Sequence, residues 1–349
     1  MTRNVTRLAN PDSQSPSIGG ELALLRQIRR RATANSSTGV RLGIGDDCAL
    51  LRVAADEELA VTTDLSIAGR HFRLDWHPPQ AVGHRALARG LSDLAAMGAR
   101  PVAAFLSLAL PKELIKGKGR ERPWVDGFLE GLLKLAAAHK TPLAGGDLAE
   151  SPVAVADIVL VGAVRRGKAL LRSGARVGDL LYVTGALGGS ANGLMLLEKQ
   201  AAARPGSNPP RIPRKLQAEL ASHLHPQPRI QQGLALVRRR LATAALDLSD
   251  GLSTDLAHLC EESSVAAEVD AEALPISPGA TLAQALNGGE DYELLFTASV
   301  STRIPRVLAG VRITKIGRIV KARAGKPLIH LLTEEGAQPL EARGWEHFS

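Results

Sequence analysis

The chain has 349 residues, 45% of them hydrophobic but only 3% aromatic, enough for two domains with aliphatic cores. A net charge of +8 raises nucleic-acid binding, yet the basic residues gather in local runs, Lys112 to Arg122 and Arg238 to Arg240, without the interleaved aromatics that single-strand binders use, so no nucleic-acid partner is expected. The polar start lacks a signal-like apolar stretch, Val153 to Val164 contains Asp157 and is far shorter than a membrane span, and Cys48 and Cys260 are too few for a disulfide framework or thiolate metal site. These features predict a soluble cytoplasmic protein with reduced cysteines and no membrane partner.

Residues 1–17 read as a disordered tail, followed by a short helix over Leu22 to Ile28. Strands are predicted at Leu59 to Thr63, Val102 to Leu110 and Val153 to Val164. Between them, Pro78 and Pro79 open a helix with Leu87, Leu91, Leu94 and Ala95 on one stripe, which stops at Gly98, and a second helix covers Trp124 to His139. After a Gly- and Arg-rich stretch from Arg165 to Gly178, a strand over Leu180 to Thr184 leads through the turn GALGGSANG into a helix. Ala201 to Pro213 reads as a surface loop, and strand Ala242 to Leu248, helix Leu252 to Glu262 and strand Tyr292 to Thr297 complete a second unit. The mixed order predicts an α+β protein with domains at 18–165 and 166–349 sharing a cleft.

Aspartates beside Gly, Ser or Thr recur along this frame: GIGDDCALL (Gly43 to Leu51), TTDL (Thr62 to Leu65), LSDLAAMGA (Leu91 to Ala99), AGGDL (Ala144 to Leu148) and DLSDG (Asp247 to Gly251). Several stand where an apolar run stops, so their carboxylates can converge at one rim of a sheet. Carboxylate clusters without His or Cys suit hard Mg²⁺ ions, which points to magnesium-phosphate chemistry. Each has a plainer explanation. Asp46, Asp47 and Asp64 are suited to turns and strand caps, and Asp93 can pair with Arg89 four residues earlier. Adjacent carboxylates such as Asp46 and Asp47 repel unless a cation separates them, and Asp93 lies off the leucine stripe of its helix. A phosphate-loop match from Gly162 to Lys168 is rejected, because Ala169 replaces the metal-binding hydroxyl and no clear helix follows.

The segments GIGDDCALL, TTDLSIAGRHF, LSDLAAMGA, GGD, LLRSGARVGD, DLSDGLSTDL, GGEDYELLF and GWEHF occur in the order found in thiamine-monophosphate kinases, and from about Glu21 to Phe348 the chain resembles that family. The resemblance implies the two-domain aminoimidazole ribonucleotide synthetase-like fold: N-terminal sheets joined into a barrel at a homodimer interface, with C-terminal α/β domains outside. It implies ATP and thiamine monophosphate as substrates and several Mg²⁺ ions. Carried onto this sequence, the metal ligands are Asp47, Thr62, Thr63, Asp64, Asp93, Asp147, Asp247 and Asp250, the ATP contacts Gly146, Asp147, Arg172 and Ser249, and the substrate contacts His71, Glu290 and Trp345. No residue is expected to act as a general base. Arg70, Leu148, Glu150 and Gly90 depart from the usual pattern, Gly90 standing where Asn is more common. The alternatives are a related selenophosphate synthetase or hydrogenase-maturation enzyme, whose N-terminal or C-terminal cysteine this chain lacks, and a nucleotide-binding relative without turnover.

Overall fold

The computed structural model describes residues 21–32, 39–44, 48–116, 122–203, 212 and 214–345. Helix α1 (Glu21–Ala32) precedes a small hairpin, β1 (Val40–Leu42) and β2 (Leu50–Leu51). Then come β3 (Glu57–Ile67), α2 (Pro79–Ala96), β4 (Arg100–Leu110), α3 (Lys112–Lys116), α4 (Trp124–Ala138), β5 (Leu143–Glu150) and β6 (Val155–Arg165). The four long strands form a sheet in the order β3-β6-β4-β5. The sheet is open, with β3 and β5 at its edges, and no closed barrel forms among the described residues of one chain.

Helix α2 lies across one face of this sheet and α4 packs along α2. Two glycines allow that approach: a side chain on Gly83 would overlap the Phe128 carbonyl, and one on Gly131 would overlap the carbonyl of Gln80. The leucine stripe of α2 is fully buried, as the helical spacing predicts. The other face of the sheet is partly covered by the β1–β2 hairpin, whose Val40, Ala49 and Leu51 pack near Ala103, Ala144 and Val161. Elsewhere that face stays open, and Leu59, Val61 and Leu65 of β3 are 53%, 62% and 46% exposed.

The second unit begins after a turn at Gly167 and a 3₁₀ turn at Arg172–Gly174. It contains β7 (Leu180–Thr184), α5 (Gly189–Ala202), α6 (Gln217–Leu224), α7 (Ile230–Arg238), β8 (Ala244–Asp247), α8 (Leu252–Ser263), β9 (Ala266–Asp270) and α9 (Leu282–Asn287). Strands β10 (Leu294–Ala298), β11 (Val307–Leu308), β12 (Val311–Val320), β13 (Ile329–Thr333) and β14 (Gly336–Pro339) complete it. Seven of its strands run β14-β13-β9-β12-β7-β10-β8, with β11 beside β12. One sheet face buries Leu181, Val183, Leu246 and Leu295 with α8. The other carries Phe296, Ala245 and Ile313 into the core that also contains the α2 leucines. The two units therefore share apolar packing, with α7 against α2.

The predicted strands and helices are present, with three instructive differences. β3 continues through Asp64 to Ile67, because all eleven of its residues pair with β6, so Asp64 stands inside a strand and not after one. The AGGDL segment is strand β5, held parallel to β4 by a crossover that only tertiary pairing reveals. Strands β9, β12, β13 and β14 were not legible from local pattern. Gly162 to Arg165 is the end of β6, followed by a turn, which agrees with rejecting a phosphate loop there. No helix among the described residues is long and apolar enough to cross a membrane. The free thiol of Cys48 is exposed and that of Cys260 buried.

Candidate active site

β3, α2 and the DLSDG turn bring the central carboxylates together. On β3 the pleat places Thr62 and Asp64 on the face toward α2, and Thr63 on the opposite, open face. Thr62 Oγ1 donates a short hydrogen bond to Asp93 of α2. Ser92, one residue earlier, donates to Asp247 Oδ2 at the end of β8 at 2.6 Å. Arg89 Nε lies 3.6 Å from Asp64 Oδ1, so the plainer explanation of Asp93, an i, i+4 pair with Arg89, gives way to a pair between layers.

These carboxylates are crowded and poorly hydrated. Burial, and next the charge of Asp93, push Asp64 up to about 7 against the pull of Arg89. Burial also raises Asp93, opposed by Thr62, Arg172 and Arg89. Asp247, buried at the base of the group, is held well above the usual carboxylate range by burial and then by Asp93. Several like charges in a partly desolvated site are the arrangement a divalent cation would relieve. No group of three His, Cys, Asp or Glu side chains among the described residues forms a ready-made metal cage. This donor set suits Mg²⁺ held by one or two carboxylates together with phosphate oxygens and water.

The DLSDG turn is shaped by a residue that sequence reading missed. Asp255, in the first turn of α8 and 2% exposed, accepts the backbone N–H groups of Ser249, Asp250 and Gly251 on one oxygen, each at 3.0 Å. An aspartate four residues past a Gly turn, at the start of a helix, is a local signal that could have found it. The C-terminal segment docks on the same turn: Trp345 N–H donates to the Asp250 carbonyl at 3.0 Å and Gly344 N–H to Thr254 Oγ1 at 2.9 Å.

The Gly289 to Tyr292 loop closes beside it. Glu290 and Tyr292 have φ of +66° and +51°, a left-handed conformation that costs a non-glycine residue about 1 kcal/mol or more. Backbone bonds from Glu290 to the Ser249 carbonyl (2.7 Å) and from Tyr292 to the Leu248 carbonyl (2.9 Å) hold it there. Asp291 accepts the N–H groups of Gly188 (2.6 Å) and Ser190 (3.0 Å), tying the loop to the GALGG turn. Burial would raise the Glu290 carboxyl, but Arg85 and Arg89 overcome it and hold the group below its ordinary value.

One cavity of about 470 Å³ collects these groups. Its walls include Asp64, Asp93, Asp247, Ser249 and Asp250, and also His71, Glu290 and Trp345. Sequence reading did not select Trp76, which lines the cavity with the Arg73 guanidinium 4.5 Å from its ring centroid. Arg172 stays outside the lining but close enough to lower Asp93 electrostatically. Gly146 and Asp147 lie elsewhere, on edge strand β5. Leu65, Asp157, Ser107 and Asp147 form one row across the open sheet face, so Asp147 is three strands, about 14 Å, from β3 and on the side away from Asp64. Asp46 and Asp47 fall outside the described residues.

The model of the family AIR synthase related protein, N-terminal domain, matches residues 45–164, and that of its C-terminal domain matches residues 176–328. The chain is 37% identical to thiamine-monophosphate kinase of Escherichia coli (strain K12) over 342 residues, 95% of this chain and 98% of that protein. It is 40% identical to the Haemophilus influenzae thiamine-monophosphate kinase over 289 residues, 80% of this chain and 81% of the relative. The thiamine-monophosphate kinase of Stenotrophomonas maltophilia K279a superposes with a TM-score of 0.73 at 36% identity, covering 89% of this chain and 96% of that one. AaThiL complexed with AMPPCP and TMP gives a TM-score of 0.72 at 31% identity, over 97% of this chain and all of that one. Two matched domains and near full-length identity to these kinases place the chain, as an enzyme, in the thiamine-monophosphate kinase family.

Proposed function

We propose that this chain transfers the γ-phosphoryl group of ATP directly to the phosphate of thiamine monophosphate, forming ADP and thiamine diphosphate. The observation that carries the reading is the single cavity in which Asp64, Asp93, Asp247 and Asp250 adjoin Glu290 and the rings of Trp76 and Trp345. The acceptor oxygen is already ionised at neutral pH, which removes the need for a general base. The obstacle is bringing two anions together in line. Mg²⁺, when bound, supplies the positive charge that neutralises donor and acceptor phosphates.

The chain's own residues do the rest. Asp64, Asp93, Asp247 and Asp250, together with Thr62, would hold the metal, and the bond from Thr62 and the bond from Ser92 fix Asp93 and Asp247 for that task. Ser249 and Arg172 would face the nucleotide, and Glu290, half-buried and kept ionised, would offset the thiazolium charge while Trp345 covers a ring. Asp47, Thr63, Gly146 and Asp147 belong to the same proposed ligand set. The last three lie on β3 and β5, and Thr63 and Asp147 share the open sheet face with exposed Leu59, Val61 and Leu65. We place a second copy of the chain against that face, joining two open sheets into one barrel and bringing Asp147 to a completed site.

The test is direct. Purified protein with ATP and Mg²⁺ is expected to yield ADP and thiamine diphosphate from thiamine monophosphate, followed by ³¹P NMR, and to leave unphosphorylated thiamine untouched. Comparable rates on thiamine would overturn the reading, as would ATP consumption without thiamine diphosphate.

A further inference from the structure

The cavity rests on a buried polar chain that none of the metal, nucleotide or substrate contacts explains. Arg85 of α2 is 5% exposed, His77 2% and His223 of α6 1%, so water cannot substitute for their partners. The Arg85 guanidinium donates to Glu290 Oε2 at 2.6 Å and to the His223 carbonyl at 2.6 Å. It also contacts the His71 carbonyl at 3.4 Å and His223 Nδ1 at 3.0 Å. His223 Nε2 is 3.0 Å from His77 Nε2, and Ser190 Oγ is 3.1 Å from His223 Nδ1.

Donor chemistry constrains this chain. Between His223 Nε2 and His77 Nε2 one ring must donate and the other accept, so the two neutral rings carry opposite tautomers. At one end His77 Nδ1 lies 3.2 Å from the Arg73 carbonyl and 3.1 Å from the Arg73 N–H. At the other the Arg85 guanidinium lies 3.0 Å from His223 Nδ1 and 3.4 Å from its Nε2, with Ser190 Oγ also beside Nδ1. Each buried ring is thus held at both nitrogens. Burial presses His77 down to about 4 and His223 well below its ordinary value, with Arg85 adding to both effects, so both rings are neutral at neutral pH.

We infer that Arg85, His223 and His77 are positioning residues: a buried hydrogen-bonded relay from Glu290 to the Arg73 backbone locks the two walls of the acceptor cavity at a fixed separation. One wall is the strained Glu290 loop, and the other is the segment from Gly69 to His77 that supplies His71, Phe72, Arg73 and Trp76 to the lining. The role in acceptor binding rests on the proposed function, whereas the opposite tautomers of the two rings do not.

Two measurements separate them. In the ¹⁵N spectrum of the full chain at pH 7, one of His223 and His77 is expected as the Nε2–H tautomer and the other as the Nδ1–H tautomer. The same tautomer on both rings overturns the relay whatever the enzyme acts on. For binding, His77→Leu removes the hydrogen-bonding ring and His77→Gln supplies an amide, which can donate or accept, in its place. The Michaelis constant for thiamine monophosphate is expected to rise about tenfold in His77→Leu and to return to within about threefold of wild type in His77→Gln, with that for ATP little changed. Arg85→Gln is expected to behave like His77→Leu. Equal losses for both substrates, or no difference between Leu and Gln, would overturn the positioning role. Failure of the wild type to phosphorylate thiamine monophosphate would instead remove the functional reading and leave the tautomer result to decide the relay.

Discussion

Replacing Asp255 by Ala tests whether the DLSDG turn is a built platform or a passive loop. One Asp255 oxygen accepts three backbone N–H groups at 3.0 Å, and the substitution leaves all three donors without that partner in a buried site. Each such bond contributes about 1–1.5 kcal/mol net, giving roughly 3–4.5 kcal/mol for the set. The carboxyl's own desolvation, strong enough to push it up to about 7 against the three N–H groups, offsets part of that gain. A net loss of about 2–3 kcal/mol is therefore expected in urea denaturation. Because Ser249 and Asp250 move with the turn, turnover should fall by about a hundredfold, the scale expected when a reacting group is misplaced by 1 Å. Asp255→Asn keeps an oxygen acceptor and should retain most of both properties. An Ala variant within about 0.5 kcal/mol of wild type and fully active would refute the reasoning.

Asp93→Asn keeps shape but removes negative charge from the centre of the carboxylate group, and should cost orders of magnitude in turnover at saturating Mg²⁺ with the fold intact; near-normal turnover would remove Asp93 as a ligand. Val61→Glu places a charge on the exposed apolar face of edge strand β3 and should shift light-scattering mass toward monomer and abolish activity, whereas an unchanged mass would exclude this face as the interface. Gly90→Ala would drive a methyl into the buried Leu160 side chain and should cost about 1–3 kcal/mol in thermal unfolding, largely recovered in the Gly90→Ala/Leu160→Ala pair. Finally, His77 is held neutral with its affinity for protons lowered from 6.5 to about 4, so below pH 6.5 the unfolded chain takes up a proton that the folded chain refuses, and this contribution to stability is lost as pH falls toward 4. The raised carboxyls of Asp64, Asp255 and Asp291 act with the opposite sign, so the readout is the difference between wild type and His77→Gln. That difference should move by about 3 kcal/mol in favour of the variant between pH 6.5 and 4, and a constant difference would show that His77 is not held neutral.

Local chemistry in the sequence determined the elements with strong period or punctuation. The α2 stripe after Pro78, the β7 strand, the α8 helix and the basic turn after β6 all follow from side-chain spacing and backbone preference, which act over a few residues. The motif order, which resembles one kinase family, also named Asp64, Asp93, Asp247, Asp250, Glu290 and Trp345, and all six line one cavity. Tertiary structure alone decided how those residues divide. Whether Asp64 ends a strand or sits within it depends on its pairing with β6, and which face Thr63 and Asp147 occupy depends on a register that spans four strands. Asp255, Arg85 and His223 escaped notice for the same reason. Their importance lies in hydrogen bonds to groups brought near by packing, up to 205 residues away for Arg85 and Glu290, and in the absence of water that makes each bond obligatory.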